Sequence, residues 1–305
     1  MSEFALQSDT RNLNITQRQI AARKLKDRIF LGVVLFFALI TISIVIIIVG
    51  NIAIKGYHQI NWSFFTKIAP TTFDAMMASS TGAKIPGGIL NGITGTLYLV
   101  ALASIIAIPT GVAGGIFLYE NGTKKYAGLV RDVTDVLQGV PSIVIGIIAY
   151  LWVVVPITQG YSVLAGSIAL AIMMLPLIVR STEESMKMIP DTLKEAAYAL
   201  GIPYHKIILR VLIPSSLSGL LTGILIAISR ILGETAPLLL TTLGNPEVNW
   251  SVTKPVSAIP LLIWQFYNDP NMVNMIWSSA FFLMCFILIL NLTSKLITSK
   301  RNIHK

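Results

Sequence analysis

Long apolar runs alternate with short polar stretches along the chain, and the polar stretches hold most of its charge. The first run, Phe30 to Val49, is rich in Ile, Val and Phe and long enough to cross a hydrocarbon core of about 30 Å. A second spans about Gly92 to Leu118, where Pro109 is expected to bend the helix because its ring removes one backbone hydrogen bond. Gly88/Gly92 and Gly111/Gly115 carry the G-x-x-x-G spacing that lets helices approach closely in lipid. Further spans are expected at Val136–Val155, Val163–Val179, Leu217–Leu240 and Met275–Leu292. Gln138 and Pro141 suggest an irregular, interior-facing turn near the start of the third, since broken backbone at membrane depth survives only where protein or water satisfies it. Residues 50–89 read as a long loop whose Trp62, Phe64 and Phe65 belong at the lipid headgroups. A short charged loop carrying Glu120, Lys124, Lys125, Arg131, Asp132 and Asp135 leads to the third span.

One polar interruption has a pattern of its own, at residues 190–214. Asp191 can cap a helix after Pro190, and Leu193, Ala196, Ala197 and Leu200 recur at i, i+3, i+4 and i+7, on one face. Gly201 can end that helix in the left-handed conformation and Pro203 can open a second at its first turn. Tyr204, Ile207, Ile208 and Val211 repeat the pattern before Pro214 stops it. Two short helices hinged on a glycine make a compact knob. The pattern alone fits either a connector packed on its own bundle or a grip for a soluble partner.

Composition agrees with a membrane protein, at 54% hydrophobic and only 12% charged residues. The net charge of +9 admits a nucleic-acid reading, which the placement of the charges removes. Of the 23 Lys and Arg, 18 fall in the N-terminal segment, the second-to-third connection, the knob region and the tail. Only Lys55, Lys67, Lys84 and Lys254 lie on the other side, and Arg230 falls inside the fifth span. The asymmetry puts both termini and the knob in the cytoplasm of a multi-pass protein of the cell membrane. The expected organisation is a basic N-terminal segment over 1–28, a multi-span membrane domain over 29–297, and a basic tail over 298–305. The first run has the length of a span and no cleavage pattern follows it, so no removable signal is expected.

Several chemistries are absent. No G-x-x-x-x-G-K-[ST] phosphate loop occurs, so the chain is not expected to hydrolyse ATP by itself. His58, His205 and His304 are scattered and Cys285 is alone, which leaves neither a metal constellation nor an internal disulfide. One polar cluster remains within an apolar span, Ser229 to Pro237. A charge deep in a membrane helix is costly unless it faces protein or water, so Arg230 and Glu234, at i and i+4, are functional candidates. Counted along an unbroken helix from Leu217, Arg230 lies ~20 Å in, past the midplane. Two readings stay open: a structural ion pair, or a guanidinium lining a pathway for an oxyanion that accepts paired N–H donors.

Glu195-Ala196-Ala197, three residues, Gly201, nine residues, then Val211, Ile213 and Pro214 resemble the EAA signature of permease subunits in binding-protein-dependent ABC importers. Val211 and Ile213 stand where isoleucine and leucine are usual. Gly87 to Ile93 with Gly95-Thr96-Leu97, Gln138 to Val144, and Arg230 to Leu240 resemble the PstA-type permease subunit of phosphate ABC importers. The resemblance implies an all-α integral membrane fold of the type I ABC importer permease kind, with six transmembrane helices and a cytoplasmic coupling helix between the fourth and fifth. It further implies a second, PstC-type permease subunit, a dimer of ATP-binding subunits that holds ATP and Mg, and an external phosphate-binding protein. Arg230, Glu234 and Thr235 are then expected along the substrate pathway. Glu195, Ala196, Ala197, Gly201 and Pro214 are expected to couple to the ATP-binding subunit. The chain itself needs no cofactor or metal. Rival readings are a permease of the same class for molybdate or sulfate, an ion-coupled secondary transporter, and a membrane-bound sensor or scaffold.

Overall fold

A computed structural model describes residues 17–122 and 124–302. The first part of the basic N-terminal segment and the last three residues of the tail lie outside the described residues. Among those described, every regular element is helical. Five helical runs are long and apolar enough to cross a membrane: Arg23–Gln59, Leu90–Glu120, Val163–Lys187, Tyr204–Ile231 and Pro270–Thr293. Lys125–Gly139 and Ser142–Thr158 form a bent pair that makes a sixth. Contacts divide the chain into two units, Met1–Ile54 and Lys55–Lys305.

The first unit carries most of α1 (Gln17–Gly56). Within its apolar run, the Thr41 and Ser43 hydroxyls donate to the carbonyls of Phe37 and Leu39 at 2.9 and 2.7 Å. In hydrocarbon an unpaired hydroxyl has no water to turn to, so this local pairing is what the span requires.

The second unit is built on two helices, α4 (Leu90–Glu120) and α7 (Val163–Lys187). The expectation for Gly111 and Gly115 holds, because a Cβ at either would run into Ile178 or Thr182 of α7. α4 continues through Pro109. α10 (Ile213–Ile231) joins α7 by the same device at a pair the sequence reading passed over, with Gly219 and Gly223 closing on Ser185 and Ser181. Where backbones come this near, an added methyl has nowhere to go. Gly223→Val is therefore expected to destabilise the bundle by about 1–3 kcal/mol, the usual cost of overpacking, read as a lower unfolding temperature in detergent.

Several expectations need correction. Residues 50–89 are mostly helical: a 3₁₀ turn (Tyr57–Gln59), α2 (Trp62–Thr66) and α3 (Thr72–Thr81). Local caps explain this, since Asn61 accepts from the Phe64 N–H at 2.8 Å and Thr71 with Asp74 closes a full capping box. Phe64 belongs to a small core with Ala75, Ile89, Leu262 and Met272 and is not a headgroup residue, whereas Trp62 is 82% exposed.

The connection to the third span is no loop either. α5 (Lys125–Gly139) rises antiparallel to α7, with Arg131 against Glu183 and Gln138 near the Pro176 carbonyl. The chain then turns 105° and continues as α6 (Ser142–Ala149) and a π-helical segment, Tyr150–Thr158. The predicted irregularity at Gln138–Pro141 is that turn, and the third span is broken there. A residue before proline disfavours helix, and Val140 is accordingly extended.

The fifth span is broken as well. α10 ends at Ile231 and α11 (Ala236–Thr241) restarts the helix. Pro237 sits in the first turn of α11, where its missing N–H costs nothing, so it opens that helix.

In the knob, α8 (Asp191–Ala199) is preceded by Pro190, and Asp191 lies in its first turn without capping it. α9 (Tyr204–Ile207) passes through a π turn, Ile208–Leu212, straight into α10. Pro214 therefore does not end that run. It occupies the first turn of α10, and the wide turn just ahead absorbs its lost hydrogen bond. Between the fifth and sixth spans, α12 (Ile259–Tyr267) tucks back beside α4, its Ile259 N–H donating to the Thr96 hydroxyl at 2.9 Å. α13 (Val273–Asn302) is the last span.

Candidate functional site: a cleft beside two broken spans

α10 carries the predicted residues to the site. Its last turn holds Arg230, whose Nε lies 3.9 Å from Glu234 Oε1 across the break that follows Ile231. Arg230 is 42% exposed and Glu234 20%. The pair is thus loose and open on one side, which leaves guanidinium N–H groups free for another acceptor. The end of α10 is held from behind, where the Ser229 hydroxyl donates to Asn291 Oδ1 of α13 at 3.0 Å. Thr235 is half-buried at the start of α11, where its carbonyl accepts from Leu239 at 3.1 Å and its side chain makes no capping bond.

The two breaks face each other. A Cβ on Gly146 of α6 would press on Pro237 of α11, so the start of each half-helix packs against the other. Neither break announces its partner in sequence, because the residues that meet are some ninety positions apart.

An open cleft of about 620 Å³ runs between α7 and α10, and Arg230 lies beyond its lining residues. Gly219, Thr222, Gly223 and Ile226 line it from α10, and the same stripe extended four residues past Ile226 reaches Arg230. Gln138 from the first break and Arg180, Ser181, Glu184 and Ser185 from α7 supply its polar wall. Sequence reading had placed Gln138 at an interior turn but had no reason to join it to Arg180.

A buried ionic cluster sits at the foot of that wall. Glu183 is fully buried; its Oε1 accepts from Arg131 Nη2 at 2.6 Å, Arg131 Nε at 2.9 Å and Lys187 Nζ at 2.6 Å. Arg180 Nη1 stands 4.0 Å from Oε2 and its other amino group pairs with Asp135 at 3.1 Å. The cluster bolts α5 to α7. Its one legible signal was Glu183 four residues ahead of Lys187, the favourable order on a helix. Glu183→Ala is expected to cost about 1.5–3 kcal/mol, because it removes the charge-assisted hydrogen bonds to Arg131, the least exposed of its cations, and a thermal-unfolding scan of the purified variant would register it.

The knob has two faces. Ala197 is buried with Met186, Ile189, Ile207 and Leu212, and the Lys194 ammonium lies 5.5 Å from the Tyr119 ring and 5.6 Å from the Tyr204 ring. These contacts tie the knob to the ends of α4 and α7. Glu195, Ala196 and Leu193 point outward, and Leu200 is 79% exposed. So the predicted stripe is split: Ala197 turns in while Leu193, Ala196 and Leu200 face out. Gly201 has φ +70°, the left-handed conformation expected of it, and lies in open space. Pro214 is exposed beyond the π turn.

Six helical spans, two of them broken, with a folded knob between the fourth and fifth, define a multi-pass membrane permease of the type I ABC importer class. The chain belongs to the family of binding-protein-dependent transport system inner membrane components, whose sequence model matches residues 107–302, and within it to the PstA-type permeases. The phosphate transport system permease protein PstA of Yersinia pestis is 34% identical over 99% of both chains. That of Xylella fastidiosa is 36% identical over 82% of this chain and 84% of its own. The Haemophilus influenzae protein of the same name is 34% identical over 80% and 88%. Among solved structures, an inward-facing MetNI methionine ABC transporter chain superposes with a TM-score of 0.59 at 19% identity, over 68% of this chain and 94% of that one. At that identity the likeness speaks for the fold alone.

Proposed function

We propose that this chain is the permease subunit of an ATP-driven importer that moves inorganic phosphate across the cytoplasmic membrane by alternating access. The observation that carries the reading is the 34% identity, end to end, with a protein named as a phosphate transport permease. The site supports it chemically. A part-exposed guanidinium four residues past Ile226 of the cleft offers a planar pair of donors to an oxyanion, and the nearby Glu234 tempers its attraction, so that binding stays weak enough for release. Thr235, beside the break, adds a hydroxyl to the same stretch of path.

Energy enters from another chain. ATP and Mg belong on a dimer of ATP-binding subunits, docked on the exposed Leu193–Ala196–Leu200 face with Glu195, Gly201 and Pro214, while buried Ala197 holds that face to the bundle. A PstC-type second permease completes the pathway and an external phosphate-binding protein delivers the ion. The 18-to-4 distribution of Lys and Arg supports both termini and the knob in the cytoplasm, with a basic segment at 1–28 and tail at 298–305 flanking the membrane domain. Competition settles the cargo. In cells that depend on this transporter, unlabelled phosphate is expected to suppress uptake of radiolabelled phosphate while equal molybdate or sulfate leaves it unchanged. Equal suppression by sulfate or molybdate would move the reading to another oxyanion, and uptake that follows an ion gradient without ATP would end it.

A further inference from the structure

α3 has a face that water does not explain. Phe73, Met76 and Met77 fall at i, i+3 and i+4 and are all exposed, Phe73 at 70%, while Ala75 and Ala78 on the opposite side are buried in the small core with Met272. The outward side holds Thr72, Ser79 and Ser80 besides and no charge. The single charged residue of the helix, Asp74, spends its carboxylate on the Thr71 N–H and hydroxyl at 3.1 and 2.7 Å, and those bonds hold it below the usual carboxylate range. The helix is therefore finished at both ends, by the capping box and by Gly82 in the left-handed conformation, yet shows three large apolar side chains outward.

Its height is set by backbone bonds. The Ile89 and Leu90 N–H groups, at the first turn of the spanning helix α4, donate to the Phe64 and Lys67 carbonyls at 2.8 and 3.0 Å. The segment from α2 to α3 thus caps the end of a span and sits where hydrocarbon gives way to headgroups. Trp62 is exposed on α2, and Lys67 and Lys84 are exposed on either flank of α3. An aromatic ring with a polar edge suits the interface, and two lysines beside an apolar stripe match anionic lipid phosphates.

We infer that α3 is an in-plane membrane anchor, its Phe73–Met76–Met77 face sunk into the lipid surface at the Leu90 end of α4 with Lys67 and Lys84 at the phosphates. The occupant of this face is lipid. The anchor fixes the level of the cap, and through Asn91, which accepts from the Ala69 N–H at 3.2 Å and donates to the Asn245 carbonyl at 3.0 Å, the level of the loop after the fifth span.

The test is a depth measurement. Cys285 is the only cysteine, so Met76→Cys in a Cys285→Ser background gives one site for a nitroxide. The full chain, alone and in its assembled transporter, goes into bilayer discs of phosphatidylethanolamine and phosphatidylglycerol, with Ile46→Cys in the first span as the lipid reference. Collisions with oxygen are expected to exceed those with a water-soluble nickel chelate, at a depth of about 5–10 Å below the phosphates. Free access for the nickel chelate would put the face in water and overturn the proposal. Exclusion of both colliders in the assembled transporter but not in the lone chain would hand the face to a protein partner, and overturn it equally. Neither result bears on which ion is carried, so the functional reading stands or falls separately.

Discussion

Arg230→Gln is expected to lower phosphate uptake by about tenfold to a hundredfold or more while the transporter still assembles. A hydrogen bond to a charged partner contributes about 1.5–3 kcal/mol, and each 1.4 kcal/mol is a factor of ten. Glutamine keeps the length and loses the charge and the fork of donors. Arg230→Lys keeps the charge without the fork and should fall between the two. Assembly and stability tell this role apart from a structural one. The bridge to Glu234 is 3.9 Å long with Arg230 42% exposed, a geometry that contributes little to stability, so the variant's unfolding temperature should barely move. Wild-type uptake by Arg230→Gln would remove Arg230 from the pathway. Loss of assembly together with uptake would make it a strut.

Gly201→Glu is expected to release the ATP-binding subunit and end ATP-driven uptake. The residue sits at φ +70°, where any side chain with a Cβ is strained by roughly 1–2 kcal/mol. Open space surrounds the position, so the obstacle is conformation and not crowding. Relief of that strain would tilt α8 against α9 and move Leu193, Ala196 and Leu200 off the surface they present. A new carboxylate beside Glu195 adds repulsion of its own. Gly201→Asn is the control, because asparagine tolerates the left-handed region better than other side chains. Pull-down of the ATP-binding subunit would read both variants. Full retention with Gly201→Glu, together with normal uptake, would mean the knob is not the point of coupling.

How much was legible from the residues depended on the range of the physics involved. Gly201, the polar run Ser229–Pro237 and the irregular turn at Gln138–Pro141 are local signals, and each marks a real feature of the fold. Where reading went astray, the prolines explain most of it. Pro214 was expected to stop a helix, yet it sits in the first turn of one, as Pro237 does, and the choice between ending one helix and starting the next is made by what packs around it. The loop assigned to 50–89 failed for a related reason: its capping residues were visible, but the core that rewards α2 and α3 comes from Leu262 and Met272, two hundred residues away.

By itself the sequence determined the membrane class, the number of spans and the knob between the fourth and fifth, because burial in lipid and backbone capping act over a few residues at a time. Only the tertiary structure decided that α6 and α11 meet at Gly146 and Pro237, that Gln138 and Arg180 share a cleft with α10, and that Glu183 of α7 takes Arg131 of α5. Those are contacts between distant segments, set by close packing of one helix surface on another, and no run of neighbouring residues encodes which surfaces those will be.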